Sequence, residues 1–206
     1  TDVNKNNNGS YQSLGKFYNR HTGGTNTFEI YQEGSEVIHH NKDFMKKHKL
    51  DIDLIFTSPP YFDRELYSED KEQSCLKFPK YQDWLEGYLK PSLNTCFELL
   101  KTDHYCLINI CDIKVGTNTI PLEQDTIRIA MDIGFEFEGK LGMTMTRMLG
   151  LNPTNSKNNW FDRKTNSVYK VEPILIMKKT PKYPWEGVED EYEKFYVKEF
   201  KKIFDE

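Results

Sequence analysis

A hydroxyl, two prolines and a phenol stand consecutively at Ser58-Pro59-Pro60-Tyr61, directly after the apolar run Leu54-Ile55-Phe56 and Thr57. Two prolines fix φ and remove two N–H donors, so the turn is stiff and its carbonyl groups can face a pocket as acceptors. An amino group is the natural partner of such acceptors. Hydrogen bonds from an NH2 to Ser58 Oγ and to the Pro59 carbonyl would localise the nitrogen lone pair and hold it in near-attack geometry toward an electrophile. The Tyr61 ring can stack on a base turned out of a duplex. An amino nitrogen that attacks an activated methyl donor directly needs no covalent nucleophile from the protein. Cys75 and Cys111 are therefore read as structural thiols.

Such a turn must be delivered by a strand, and Asp51–Thr57 reads as one, with a continuous apolar centre expected to be buried on both faces. In open α/β sheets, ligands bind at the carboxyl ends of the strands, which puts this turn on the expected active-site rim. The flanking pattern alternates helices and strands. Helical spacing is present in Ser10–Arg20, in Glu36–Lys47, in Tyr81–Leu100 with Pro91 kinking or dividing it, and in Leu122–Ile133 closed by Gly134. Strands are expected at Thr27–Gln32, at Tyr105–Cys111, and as a closing antiparallel pair at Phe135–Met145 and Val168–Met177. The polar stretch between that pair, with Asn152, Pro153, Asn155, Asn158 and Asn159, reads as a long functional loop. Glu189–Phe204 reads as a charged amphipathic helix, giving a division into a domain over 1–182 and a terminal helix over 183–206.

With 206 residues, 37% hydrophobic and 14% aromatic, the chain can build one sizeable core but not two. Its four cysteines form no CxxC pair, and no apolar run reaches the roughly 20 residues of a membrane span. The start is polar, unlike a signal peptide, so a cytoplasmic location is expected. His39-His40 diverge on a helix and lack a third ligand nearby, so no metal is expected. Asp112, at a strand end, is either a pocket carboxylate or an ordinary one. The net charge of −4 hides an asymmetry. Residues 140–182 hold nine Lys/Arg against Asp162 and Glu172, a net of +7, whereas 103–139 carry −5 and 183–206 carry −4. A basic segment on an acidic body is a phosphate-binding footprint.

The Ser58–Tyr61 turn after a buried strand resembles the catalytic loop of the Rossmann-like DNA amino-methyltransferases, which act on adenine N6 or cytosine N4 and carry Asp/Asn/Ser-Pro-Pro-Tyr after the fourth strand. A leading serine is closer to the cytosine N4 branch, although phage-type adenine enzymes carry it too. Ile30-Tyr31-Gln32-Glu33-Gly34-Ser35 is similar to the family's third-strand motif, with Ser35 in place of the usual Asp or Asn. Thr1-Asp2-Val3-Asn4 resembles the end of the second strand, and Glu172–Lys179 the last strand.

The resemblance implies a mainly parallel class I methyltransferase sheet with an antiparallel C-terminal strand pair, and S-adenosyl-L-methionine (AdoMet) as cofactor. It implies catalytic roles for Ser58, Pro59, Pro60 and Tyr61, and cofactor contacts from Asp2, Gly34, Ser35 and Thr57. Phe62, Arg147, Lys157, Trp160, Arg163 and Lys164 are the expected DNA contacts. The setting implied is restriction-modification or phage DNA methylation.

The family's glycine-rich first strand and turn have no counterpart in the sequence, which is therefore expected to be a fragment whose missing strand lies within about 30 residues upstream of Thr1. Methylation of RNA or of a protein amide, and a non-catalytic remnant, are the competing functions.

Overall fold

A computed structural model describes residues 8–25, 27–64, 71–115, 117–148, 159–162, 164 and 167–181. Its centre is a sheet in the order β1 (Ile52–Thr57), β2 (Leu100–Asn109), β7 (Ser167–Lys179), β5 (Phe135–Met148), with β6 (Asn159–Asp162) added to β7. A small separate hairpin joins β3 (Ile113–Val115) to β4 (Asn118–Ile120). The pairing of β1 with β2 is parallel, and β7 runs antiparallel to β2, β5 and β6. Strands β1, β2, β5 and β6 therefore share one direction and β7 alone opposes them, the mainly parallel α/β arrangement with a reversed C-terminal strand.

Helices α5 (Lys90–Leu99) and α6 (Leu122–Ile133) pack on each other and on one face of this sheet. Cys106, Ile108 and Ile110 alternate onto that face, where they meet Leu93, Leu122, Ile129 and Ala130, with Leu175 and Met177 from β7. A second small cluster of Ile38, Phe44 and Leu99 holds α2 (Lys42–His48) against β1. Gly134 ends α6 at φ +123°, a conformation that a Cβ disfavours, and its N–H bonds the Ala130 and Met131 carbonyls.

The helix expected over Tyr81–Leu100 is divided, as Pro91 requires. The segment runs as α4 (Tyr81–Trp84), a π-turn (Leu85–Leu89) and α5, with Pro91 in the first turn of α5, where its missing N–H costs little. A short α3 (Ser74–Lys77) precedes it. The N-terminal helix α1 (Asn8–Thr22) forms as expected, with Tyr11, Leu14, Phe17 and Tyr18 exposed.

Three expectations are corrected. Thr27–Gln32 forms no strand, because no described strand offers it a ladder partner. The helix expected over Glu36–Lys47 is a turn, a 3-10 segment (Ile38–His40) and the seven-residue α2, capped where the Asn41 side chain accepts from the Phe44 N–H. Strand β1 is not buried on both faces: Leu54 and Phe56 are 56% and 57% exposed, since no described element covers that side. The expected helix at 189–204 lies outside the described residues.

Candidate active site

β1 ends at Thr57 and leads into Ser58–Tyr61 at the carboxyl rim, beside the end of β2, whose Ile108 pairs with Thr57. Pro59 is buried and Pro60 and Tyr61 half-buried, whereas Ser58 is exposed. The turn closes on Phe62, a bulky residue in the left-handed region at φ +53°. Strain of that kind costs on the order of 1–3 kcal/mol and persists only where packing enforces it. Here the enforcement is burial: the Phe62 ring is 7% exposed and meets Tyr81 and Trp84 edge-on, with centroids 5.4 and 5.9 Å away. Phe62 thus points into the core rather than toward the rim, which removes it from the surface a substrate would touch.

Beneath the turn lies a polar cluster that the sequence did not single out. Ser58 Oγ donates to Asn109 Oδ1 at 3.3 Å, and the Tyr61 hydroxyl stands 3.5 Å from both Asn109 Oδ1 and Glu172 Oε2. The 3.5 Å contacts are at the outer limit of hydrogen bonding. Asn109 Nδ2 donates to the Pro173 carbonyl at 3.1 Å, and Lys170 Nζ donates to Glu172 Oε1 at 2.5 Å. Asn109 and Glu172 are 5% and 8% exposed. The Glu172 carboxylate beside Lys170 raises the ammonium pKa. Burial, and then the negative Glu172, push the Cys111 thiol up, which keeps it protonated and supports its structural reading.

The signal for this cluster was in the sequence: Asn109 interrupts the apolar strand Leu107–Cys111, and Glu172-Pro173 opens the apolar run Ile174–Met177. Asn109 closes β2 at its carboxyl end, and the reversed β7 brings Glu172 to that same end.

Asp112 Oδ1 accepts from the Glu123 N–H at 3.0 Å, at the first turn of α6. That is a helix-capping role. Ser35 Oγ lies 2.8 Å from Ser92 Oγ in the first turn of α5. Because α5 runs down into the start of β2, its first turn is the end nearest the carboxyl rim, so Gly34 and Ser35 are held on the site's side of the molecule. Gly34 is buried, and a Cβ there would strike the Glu36 carboxylate. Asp2, Lys157 and Arg163 lie outside the described residues. Arg147 and Trp160 are placed by backbone only, Arg147 opposite Tyr169 on β5 and Trp160 opposite Tyr169 on β6. The β6–β7 hairpin projects beyond the end of β2, past Asn109, and carries the exposed Lys164, whose N–H bonds Asp162. Among the described residues no group of His, Cys, Asp and Glu has the geometry to hold a metal ion, and no helix is long and apolar enough to cross a membrane.

The sequence pattern of the DNA methylase family matches residues 52–204. The type II methyltransferase M.MjaVI of Methanocaldococcus jannaschii is 34% identical over 87 residues, which are 42% of this chain and 42% of that protein. A Thermus thermophilus protein described as a candidate DNA modification methylase superposes with a TM-score of 0.47 at 18% identity, over 73% of this chain and 52% of that one. The same protein complexed with S-adenosyl-L-methionine gives 0.46 at 18% identity, over 73% and 55%. The chain thus spans less than half of the curated relative and about half of the solved structure.

Proposed function

The chain belongs to the N6/N4 DNA methylase family, and on that premise we propose that it methylates the exocyclic amino group of a DNA base, cytosine N4 or adenine N6, by direct transfer to a base flipped out of the duplex. The observation that carries the reading is the exposed Ser58 hydroxyl on the stiff turn at the carboxyl end of β1, next to the half-buried Tyr61. AdoMet supplies the electrophilic methyl group. Thr57, Gly34 and Ser35 would hold it: two hydroxyls and a close-packed glycine turn on the rim side of β1 and α5 suit a polar nucleoside. Asp2 is the candidate for its ribose hydroxyls.

Ser58 Oγ and the Pro59 carbonyl accept the two amino hydrogens and aim the nitrogen lone pair at the donor. The Tyr61 ring stacks on the base, and Pro60 keeps the turn rigid. Arg147, Lys157, Arg163 and Lys164 contact phosphates, with Trp160 among them as a stacking ring. Titrating AdoMet calorimetrically and then following transfer of its labelled methyl to duplex DNA tests the proposal. Tight cofactor binding with N4-methylcytosine or N6-methyladenine in the digest is expected. Label that appears only in RNA or protein, or no cofactor binding at all, overturns it.

A further inference from the structure

We propose that Asn109 is a positioning residue that fixes the polarity of the Ser58 hydroxyl, turning its proton inward so that its lone pairs face the substrate; this rests on the reading of the site as an amino-methylating one. A serine hydroxyl both donates and accepts, and only its accepting side serves a base NH2. Left to rotate, it would spend part of its time presenting its own hydrogen to the base, which aligns nothing. The neighbours in the fold settle which way it points.

The Pro173 carbonyl lies 3.1 Å from the Asn109 side-chain nitrogen, and a carbonyl can only accept. The amide of Asn109 must therefore present its NH2 to Pro173 and its oxygen to the other side, which removes the usual ambiguity between amide oxygen and nitrogen. That oxygen meets Ser58 Oγ at 3.3 Å and the Tyr61 hydroxyl at 3.5 Å. An amide oxygen is an acceptor only, so Ser58 directs its hydrogen toward it, while the single Tyr61 hydrogen is divided between that oxygen and Glu172 Oε2 at the same distance. The Pro173 carbonyl is itself fixed in the sheet, where it also accepts from the Ile110 N–H at 3.3 Å. The chain of orientation runs from the β2–β7 ladder through Asn109 to Ser58. Asn109 is 5% exposed, so its amide is held by these protein partners rather than by water.

The charged and titratable groups around Asn109 are Tyr61 on the turn, Cys111 after β2, and Glu172 with Lys170 on β7. Only an acceptor that also donates to Pro173 can replace the amide. A neutral carboxyl group does both and a carboxylate does not. Asn109→Asp is therefore expected to be slow at neutral pH and to regain rate as the pH falls and its buried carboxyl takes up a proton, while the wild type shows no such gain.

The experiment is a double-mutant cycle in single-turnover methylation of duplex DNA, with Ser58→Ala, Asn109→Leu and the pair, alongside AdoMet calorimetry and thermal unfolding of each protein. Asn109→Leu is expected to slow the chemical step about tenfold or more with AdoMet affinity unchanged, and to add little once Ser58 is alanine. Should Asn109→Leu fail to fold, the pH profile of Asn109→Asp decides alone. Multiplicative effects in the cycle, or an Asn109→Asp rate with no gain toward acid relative to wild type, overturn the inference. Both outcomes presuppose an active wild type. A wild type that transfers no methyl group to DNA sinks the functional reading instead, so the two failures are distinct.

Discussion

At the scale of single residues, the proposed methyl transfer would divide the turn into groups that act on binding and groups that act on the chemical step. Tyr61 offers a ring face, so Tyr61→Ala should weaken base placement by about 1–3 kcal/mol, the range for base–aromatic stacking. Tyr61→Phe should be mild, because the ring face is kept and the hydroxyl stands 3.5 Å from Asn109 and Glu172, at the outer limit of hydrogen bonding. In the proposed methyl transfer Ser58 would act as the amino nitrogen rehybridises, so Ser58→Ala should lower kcat more than it raises KM. Single-turnover rates and AdoMet affinities of the three variants check this, and wild-type rates in both alanine variants would reduce the turn to a structural bend. Cys111 gives a second residue-scale expectation. Burial and the neighbouring Glu172 hold its thiol protonated, so alkylation by iodoacetamide at pH 8 should be slower at Cys111 than at an ordinary exposed thiol. Faster labelling, read by peptide mass analysis, would contradict the buried geometry. The Ser58–Tyr61 turn was legible in the sequence because its chemistry sits in four consecutive residues. Asn109 and Glu172 were visible only as polar residues beside apolar runs, and that they meet comes from β2 and β7 lying side by side, which no local spacing records.

At the scale of elements, what the sequence disclosed follows how local each signal is. Strand β1, helix α6 and its Gly134 stop, and the β5–β7 pair were readable from periodicity and a single glycine. The β3–β4 hairpin and β6 were missed because three- and four-residue strands are shorter than any periodic pattern. Thr27–Gln32 carries a strand-like pattern yet finds no neighbour among the described residues, and strand propensity without a ladder makes no strand. The Phe62 side chain was expected at the substrate and lies in the core, since nothing local distinguishes which way a residue at φ +53° turns. Its packing yields a prediction. Phe62→Ala should cost about 3–5 kcal/mol of unfolding free energy, whereas Leu54→Thr, already more than half exposed, should stay within about 0.5 kcal/mol of wild type. Urea melts decide it, and equal costs would mean that β1 is covered. The helix beneath the turn has its own pH signature. Burial, and then the hydrogen bond to Asp125, raise the Tyr81 pKa, so the folded state holds that proton more tightly than the unfolded chain. The stabilisation is complete below the ordinary tyrosine pKa near 10 and falls as pH rises beyond it. Tyr81→Phe should lower stability at pH 7 and flatten the loss above pH 10, measured by denaturant midpoints across pH 8 to 11; an unchanged alkaline slope would rule out Tyr81 as its source.

At the scale of the whole molecule, the question is how a chain of net charge −4 would hold a polyanion. Net charge governs long-range attraction only when the charge is evenly spread, and with a Debye length of about 8 Å at physiological salt a phosphate senses the nearest face rather than the total. Two residues of the basic segment lie toward one side. Arg147 on β5 stands opposite Tyr169, and Lys164 lies at the turn between β6 and β7, so both belong to the part of the sheet that extends past the carboxyl end of β2. Ser58 sits at that same end, next to Asn109. The acids of the 103–139 segment are carried partly elsewhere: Asp125 and Asp132 on α6 pair with Arg128, and Asp103 pairs with Lys178 at the opposite, amino end of β2. If Arg147, Lys157, Arg163 and Lys164 each neutralise a phosphate, replacing all four by Gln releases about four fewer counterions on binding. The slope of log affinity against log salt should then flatten by roughly 3.6, at about 0.9 per contact on duplex DNA. Affinity at low salt should fall steeply and the difference from wild type should shrink as salt rises, while AdoMet binding, proposed at Thr57, Gly34 and Ser35, should stay the same. Fluorescence anisotropy of a labelled duplex between 50 and 300 mM salt measures both quantities. A parallel loss at every salt concentration would assign these residues to base contacts, and no loss would place the DNA on another face of the molecule.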